Sequence, residues 1–202
     1  MKDDCKYEKA DQKIIRNEFL HNGLCCGKYD FPIIRKQAID VDEISLISYC
    51  DIKKGEKGNA GKTVHFFTYD WKFEKVYENA EEELQKLSEF YCVLSPDFSL
   101  FTNMPRALQI ESVFKNRWCG AFWQSKGLRV IPTVSWSDEK SFDFCFEGMP
   151  DKNNTNLAKT PLFTRFFANS RTVYIQYYRP RLCNKSSKIS AFLLLASLTA
   201  CF

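Results

Sequence analysis

Between Tyr91 and Trp136 the chain reads YCVLSPDFSLFTNMPRALQIESVFKNRWCGAFWQSKGLRVIPTVSW. A short apolar run, Tyr91 to Leu94, meets a turn and gives way to a long amphipathic segment. Gly127 stops that segment, and a second apolar run, Arg129 to Val134, begins. Strand, crossover helix and parallel strand leave this pattern, because strands buried on both faces read as continuous apolar runs. The helix begins after Asn103, with Pro105 in its first turn, where a missing N–H costs nothing. Ile110, Phe114, Trp118, Ala121 and Phe122 then recur at helical spacing. Burying such a stripe on a sheet contributes about 1.5–3 kcal/mol for each large side chain. Gly120 costs about 1 kcal/mol against Ala inside a helix, so its presence predicts a close approach to a neighbour.

Upstream of this unit the same alternation repeats. Thr63 to Phe67 (TVHFF) is a strand, and Asp70 stands where the N-cap of a following helix is expected. Phe73, Val76, Tyr77, Ala80, Leu84 and Leu87 form that helix's apolar face, and Glu81, Glu82 and Glu83 its solvated one. His65 lies within the strand and reads as a hydrogen-bonded core residue. Tyr29 to Ile34 is a further strand candidate, which Pro32 confines to an edge or a strand start. Residues 37–50 mix apolar and acidic positions, as a short helix does. After Val134, residues 139–146 form a short helical patch that Gly148-Met149-Pro150 closes. The expected fold class is α/β, with parallel strands alternating with helices, as a partial (β/α) barrel or an open doubly wound sheet.

The chain has 202 residues, enough for one such domain with a substantial core. We read residues 1–27 as a polar, partly helical extension, 28–150 as the α/β domain and 151–202 as a divergent aromatic and basic tail. Lys185 to Lys188 precede an apolar terminus, ISAFLLLASLTACF, which reads as the product of truncation or a frame change, or as a buried terminal element. Its 14 residues fall short of the ~20 that span a bilayer, so a membrane partner is not favoured.

A net charge of +4 is mild, which leaves nucleic acid a permitted but not a favoured partner. Nine cysteines occur without a CxxC pair, and His21 and His65 are the only histidines, so the spacings of zinc fingers and ribbons are missing. The odd cysteine count and the polar N-terminal start point to a reducing, cytoplasmic setting. Gly61-Lys62-Thr63 imitates the end of a phosphate-binding loop. That motif needs glycine five positions before Gly61, where Glu56 stands, and it should follow a strand rather than precede one.

Right-handed crossovers place the C-terminal ends of parallel strands on one rim, where ligands of such sheets bind. Just past the strands lie Tyr69 and Asp70, then Ser95, Asp97 and Ser99, then Ser135, Trp136 and Asp138. Asp97, Asp70 and Asp138 are therefore the candidate catalytic and metal-binding carboxylates. Three convergent acids suit Mg2+ or Mn2+, or a division of acid and base roles in a metal-assisted hydrolase. Ser95, Ser99, Trp136 and Arg117 are the candidate ligand-binding residues. For Asp70 and Asp138 the plainer role is helix capping, and for Arg117 and Arg106 a surface ion pair. The competing functional class is an accessory module that binds protein or nucleic acid without turnover.

HFFTYDWKFEKVY, LSPDFSLFTNMPRALQI, the Asn116-Arg117 pair with Gly120, and VIPTVSWSDEKSFDFCFEGMP together resemble the bacterial and phage family known as domain of unknown function 4417. The resemblance covers about residues 28–150, implies the fold and the candidate rim with no reaction attached, and would make the accessory module of the competing class one of a phage or mobile element. In that family the chain continues past the Gly-x-Pro into another strand. Residues 151–202 are expected to depart from it, leaving an apolar sheet edge.

Overall fold

A computed structural model of the chain describes residues 15–20, 22–39, 44–149 and 172–174. The first fourteen residues and most of the tail, including the apolar terminus, lie outside the described residues. Four parallel strands form the main sheet: β3 (Ser45–Ser48), β4 (Lys62–His65), β5 (Cys92–Leu94) and β6 (Val130–Ile131). They lie in the order β3-β4-β5-β6, each parallel to its neighbour. Ahead of them a small antiparallel pair joins β1 (Cys25–Cys26) to β2 (Phe31–Pro32). After them β7 (Thr133–Ser135) pairs antiparallel with β8 (Thr172–Tyr174).

Spatial order follows chain order without a reversal, so the described sheet has no topological switch point of the doubly wound kind. It winds as a barrel wall winds, but stays open. The register lines up Ile47, Val64, Val93 and Val130 in one row across the sheet. That row packs against Val76 of α1 (Lys75–Glu78), Ala80 and Leu87 of α2 (Ala80–Leu87), and Trp118, Phe122 and Trp123 of α3 (Arg106–Ser125). Trp118 and Trp123 are wholly buried, and each contributes of order 1.5–3 kcal/mol through apolar burial. A second cluster joins Phe31, Val113, Val134, Trp136 and Phe144 beyond β7.

Four expectations need correction. Residues 45–48 form a strand where a short helix was expected, because pairing along the whole of β4 and the docking of Ile47 in the valine row outweigh the acidic context. The run from Arg129 to Val134 is two strands in different sheets, divided at Pro132, which has no N–H for a ladder. The helix expected to follow Asp70 is three pieces: a 3-10 turn (Asp70–Lys72), α1 and α2, with Asn79 off helical geometry at φ −120° and ψ 47°. The expected helical patch near 139–146 is a 3-10 helix, Glu139–Asp143.

Candidate functional site

The loops that follow β3, β4 and β5, together with β7, share one rim because the main strands are parallel. At its centre is a buried polar network. Ser95, wholly buried, accepts from the Thr133 backbone N–H at 2.7 Å, and its hydroxyl lies 3.0 Å from that of Thr133. From α3, the Asn116 amide donates to the Pro96 carbonyl at 2.7 Å and to the Thr133 hydroxyl at 2.8 Å. Asp97, nearly buried, accepts a short hydrogen bond from the Ser135 hydroxyl.

Arg117 extends this network. Its guanidinium donates to the carbonyls of Thr133 (3.0 Å), Cys145 (2.6 Å) and Glu147 (2.7 Å), and to the side-chain oxygen of Asn116. The residue is 1% exposed, so the expected surface ion pair is not what forms. Among the described residues no carboxylate lies within ion-pair distance of it. Burial therefore pulls its pKa down, to about 10. Arg106 makes the surface pair instead, 3.2 Å from Asp143.

The two remaining acids do other work. Both Asp70 oxygens face Ser99, one accepting from its N–H at 3.0 Å and the other from its hydroxyl at 2.9 Å. Asp70 is thus a latch between the loops after β4 and β5, and the cap position belongs to Tyr69. Asp138, exposed, is the N-cap of the Glu139–Asp143 helix and accepts from the Ser141 N–H at 3.3 Å. Trp136 packs in the second core cluster, 6.3 Å from Phe142. Asp97, Ser95 and Arg117 are brought into one neighbourhood, Asp70 and Ser99 into a second, and Asp138 stands by itself as a cap. Among the described residues no group of three or more His, Cys, Asp and Glu side chains is placed to hold a metal ion. His65 accepts from the Phe67 N–H at 3.3 Å and stacks on that ring, and burial lowers its pKa. It is hydrogen-bonded as its place in a strand suggested, but half-buried at the strand's end rather than in the core.

The latch also positions aromatic residues that were not among the candidate site residues. Tyr69 and Trp71 flank Asp70 and are 71% and 73% exposed, and Phe101, just past Ser99, is 56% exposed. Lys72 lies over both the Tyr69 and Trp71 rings, 5.8 and 5.5 Å from their centroids. Beside them is an open depression of about 420 Å3 lined by Tyr49, Cys50, Trp71, Lys72, Lys75 and Lys86. The Tyr49 hydroxyl donates to Glu83 at 2.7 Å, and burial together with that carboxylate pushes its pKa up. Lys75 pairs with the same Glu83 at 3.2 Å. A usable signal was present in YDWK, two large aromatics either side of an acid directly after a strand. Reading Asp70 as the cap of one helix running to Leu87 left Trp71 without a role.

Relatives give the domain a context. The chain is 48% identical over 90 residues to the Gene 1 protein of Mycobacterium phage L5, which is 45% of this chain and 39% of that protein. It is 45% identical over 92 residues to the Gene 1 protein of Mycobacterium phage D29, which is 46% of this chain and 34% of that protein. The matched stretch thus spans between a third and two fifths of the length of these relatives. No solved structure matches the chain. The model of a domain of unknown function, DUF4417, matches residues 25–184. The match runs on through much of the stretch expected to depart from the family, and β8, the strand that pairs with β7, lies inside it. With most of its length inside that match, the chain belongs to the DUF4417 family, and its relatives include phage proteins.

Proposed function

We propose that this domain works by binding, as an accessory module of a phage-type protein, and that the rim beyond β4 and β5 is its contact surface. The observation that carries this reading is the pair of exposed rings Tyr69 and Trp71, mounted on a loop that the Asp70–Ser99 hydrogen bonds hold fixed. Large aromatics left in water on a braced loop are contact residues more often than packing residues. The buried network of Asp97, Ser95, Asn116 and Arg117 then serves as the foundation of the rim. Asp97 to Ser135 and Arg117 to the Thr133, Cys145 and Glu147 carbonyls tie β5, β7, α3 and the chain after it into one unit.

Metal-assisted hydrolysis by Asp97, Asp70 and Asp138 is the reading this replaces. Asp70 uses both oxygens on Ser99 and Asp138 caps a helix, so the three carboxylates are committed to separate tasks rather than converging on one point. Thermal melting with Mg2+ or Mn2+ separates the two. A specific site filled at a hundredfold excess over its Kd stabilises by about 2.7 kcal/mol, or roughly 5–10 °C in a chain of this size. The expected result is no metal-dependent rise in Tm beyond that of Asp97→Asn. A rise of that size in the natural chain, abolished in Asp97→Asn, overturns the binding reading.

A further inference from the structure

Resting on that reading, we infer that the partner at the Tyr69–Trp71 rim is single-stranded nucleic acid. Two features have to coincide for such a ligand, ring faces for bases to stack on and cations for the phosphates between them. Both are present within a few residues. Tyr69 and Trp71 supply the rings, with Phe101 on the latched neighbouring loop. Lys72 lies over both of the first two rings, and Lys86 lies 4.8 Å from the centroid of Tyr49 in the adjoining depression. Among the described residues neither Lys72 nor Lys86 has a carboxylate within ion-pair distance. Glu83, which meets the depression's wall at Lys75 and the Tyr49 hydroxyl, is engaged by both. The depression is therefore cationic although the chain as a whole carries only +4.

The chemistry favours a single strand over a duplex. Stacking on an exposed ring requires a base free of its own stack, and the open depression beside Trp71 is shallow. Nothing in the arrangement reads base edges, so the expected binding is tolerant of sequence. A protein partner would use the rings equally well, but it would need acidic side chains placed to meet both lysines, whereas every nucleotide of a strand brings a phosphate beside its base.

The test uses the full chain and fluorescently labelled mixed-sequence oligonucleotides of about 15 nucleotides, as single-stranded DNA, single-stranded RNA and the matching DNA duplex, read by anisotropy. The expected result is that one or both single strands bind more tightly than the duplex. Log K should fall with log salt at a slope of about −1.4 to −2, for two or three phosphate contacts. Trp71→Ala should weaken binding about five- to a hundredfold, and Lys72→Gln should make the slope shallower by about 0.7. Both side chains are exposed, so unchanged Tm values confirm that the variants are folded. No binding of either single strand at 50 mM salt, or equal binding by the natural chain and Trp71→Ala, overturns the inference. That failure leaves the broader binding reading standing, since it is the Asp97-dependent metal shift that overturns the latter.

Discussion

Arg117 shows how much one side chain can determine. A buried guanidinium with no carboxylate beside it loses hydration that only good hydrogen bonds replace, and here three backbone carbonyls and an amide oxygen supply them. Two of those carbonyls, Cys145 and Glu147, belong to the segment after β7, so the guanidinium anchors that segment to α3. Arg117→Met keeps much of the side-chain volume and strips these acceptors of their donors. It should destabilise the fold by about 3–5 kcal/mol in chemical denaturation. A loss under about 1 kcal/mol would show that the carbonyls are satisfied another way. Sequence reading placed this arginine on the surface, where most arginines are, because its burial depends on partners 16 to 30 positions away. Asp138, whose capping contact is three residues away, was legible for the same reason in reverse.

At the scale of elements, α3 is set by its contact with the strand region before it. A Cβ built on Gly120 would lie 2.4 Å from Ile34 Cδ1 and 2.9 Å from its Cγ1, in a core where Ile34 is wholly buried. The close approach inferred from a glycine inside a helical stripe is therefore real, and its partner is the chain just past β2. Gly120→Ala should cost about 1–3 kcal/mol by overpacking. Ile34→Val removes the clashing methyl, so the double variant should be less destabilised than the sum of the two single ones. If Gly120→Ala instead stabilised by about 1 kcal/mol, helix propensity alone would be acting and the site would be open. α3 was legible because its stripe, its proline start and its stop at Gly127, where φ is +88°, all agree. β3 was not, since four residues carry too little period to separate a strand from a helix, and its identity comes from pairing with β4.

For the whole molecule, the parallel alternation was visible in the apolar runs near 64, 92 and 130, and their register pairs Val64 with Val93 and Val93 with Val130. The sequence also indicated the rim, but not which of its residues face water. Net charge and composition average over the surface, so the lysines and rings around the depression disappear into a mild +4. The acids drew attention because carboxylates after strands have familiar chemistry, whereas the structure uses Asp70 and Asp138 to hold loops. All of this depends on β4, β5 and β6 running the same way, since only then do Asp70 and Ser99 meet. Interstrand nuclear Overhauser contacts on isotope-labelled protein test that directly. The expected spectrum has Val64–Val93 and Val93–Val130 contacts in parallel register, without the close Hα–Hα pairs of antiparallel neighbours. Strong Hα–Hα contacts between β4 and β5 would put Tyr69 and Phe101 at opposite ends of the sheet and contradict the shared rim.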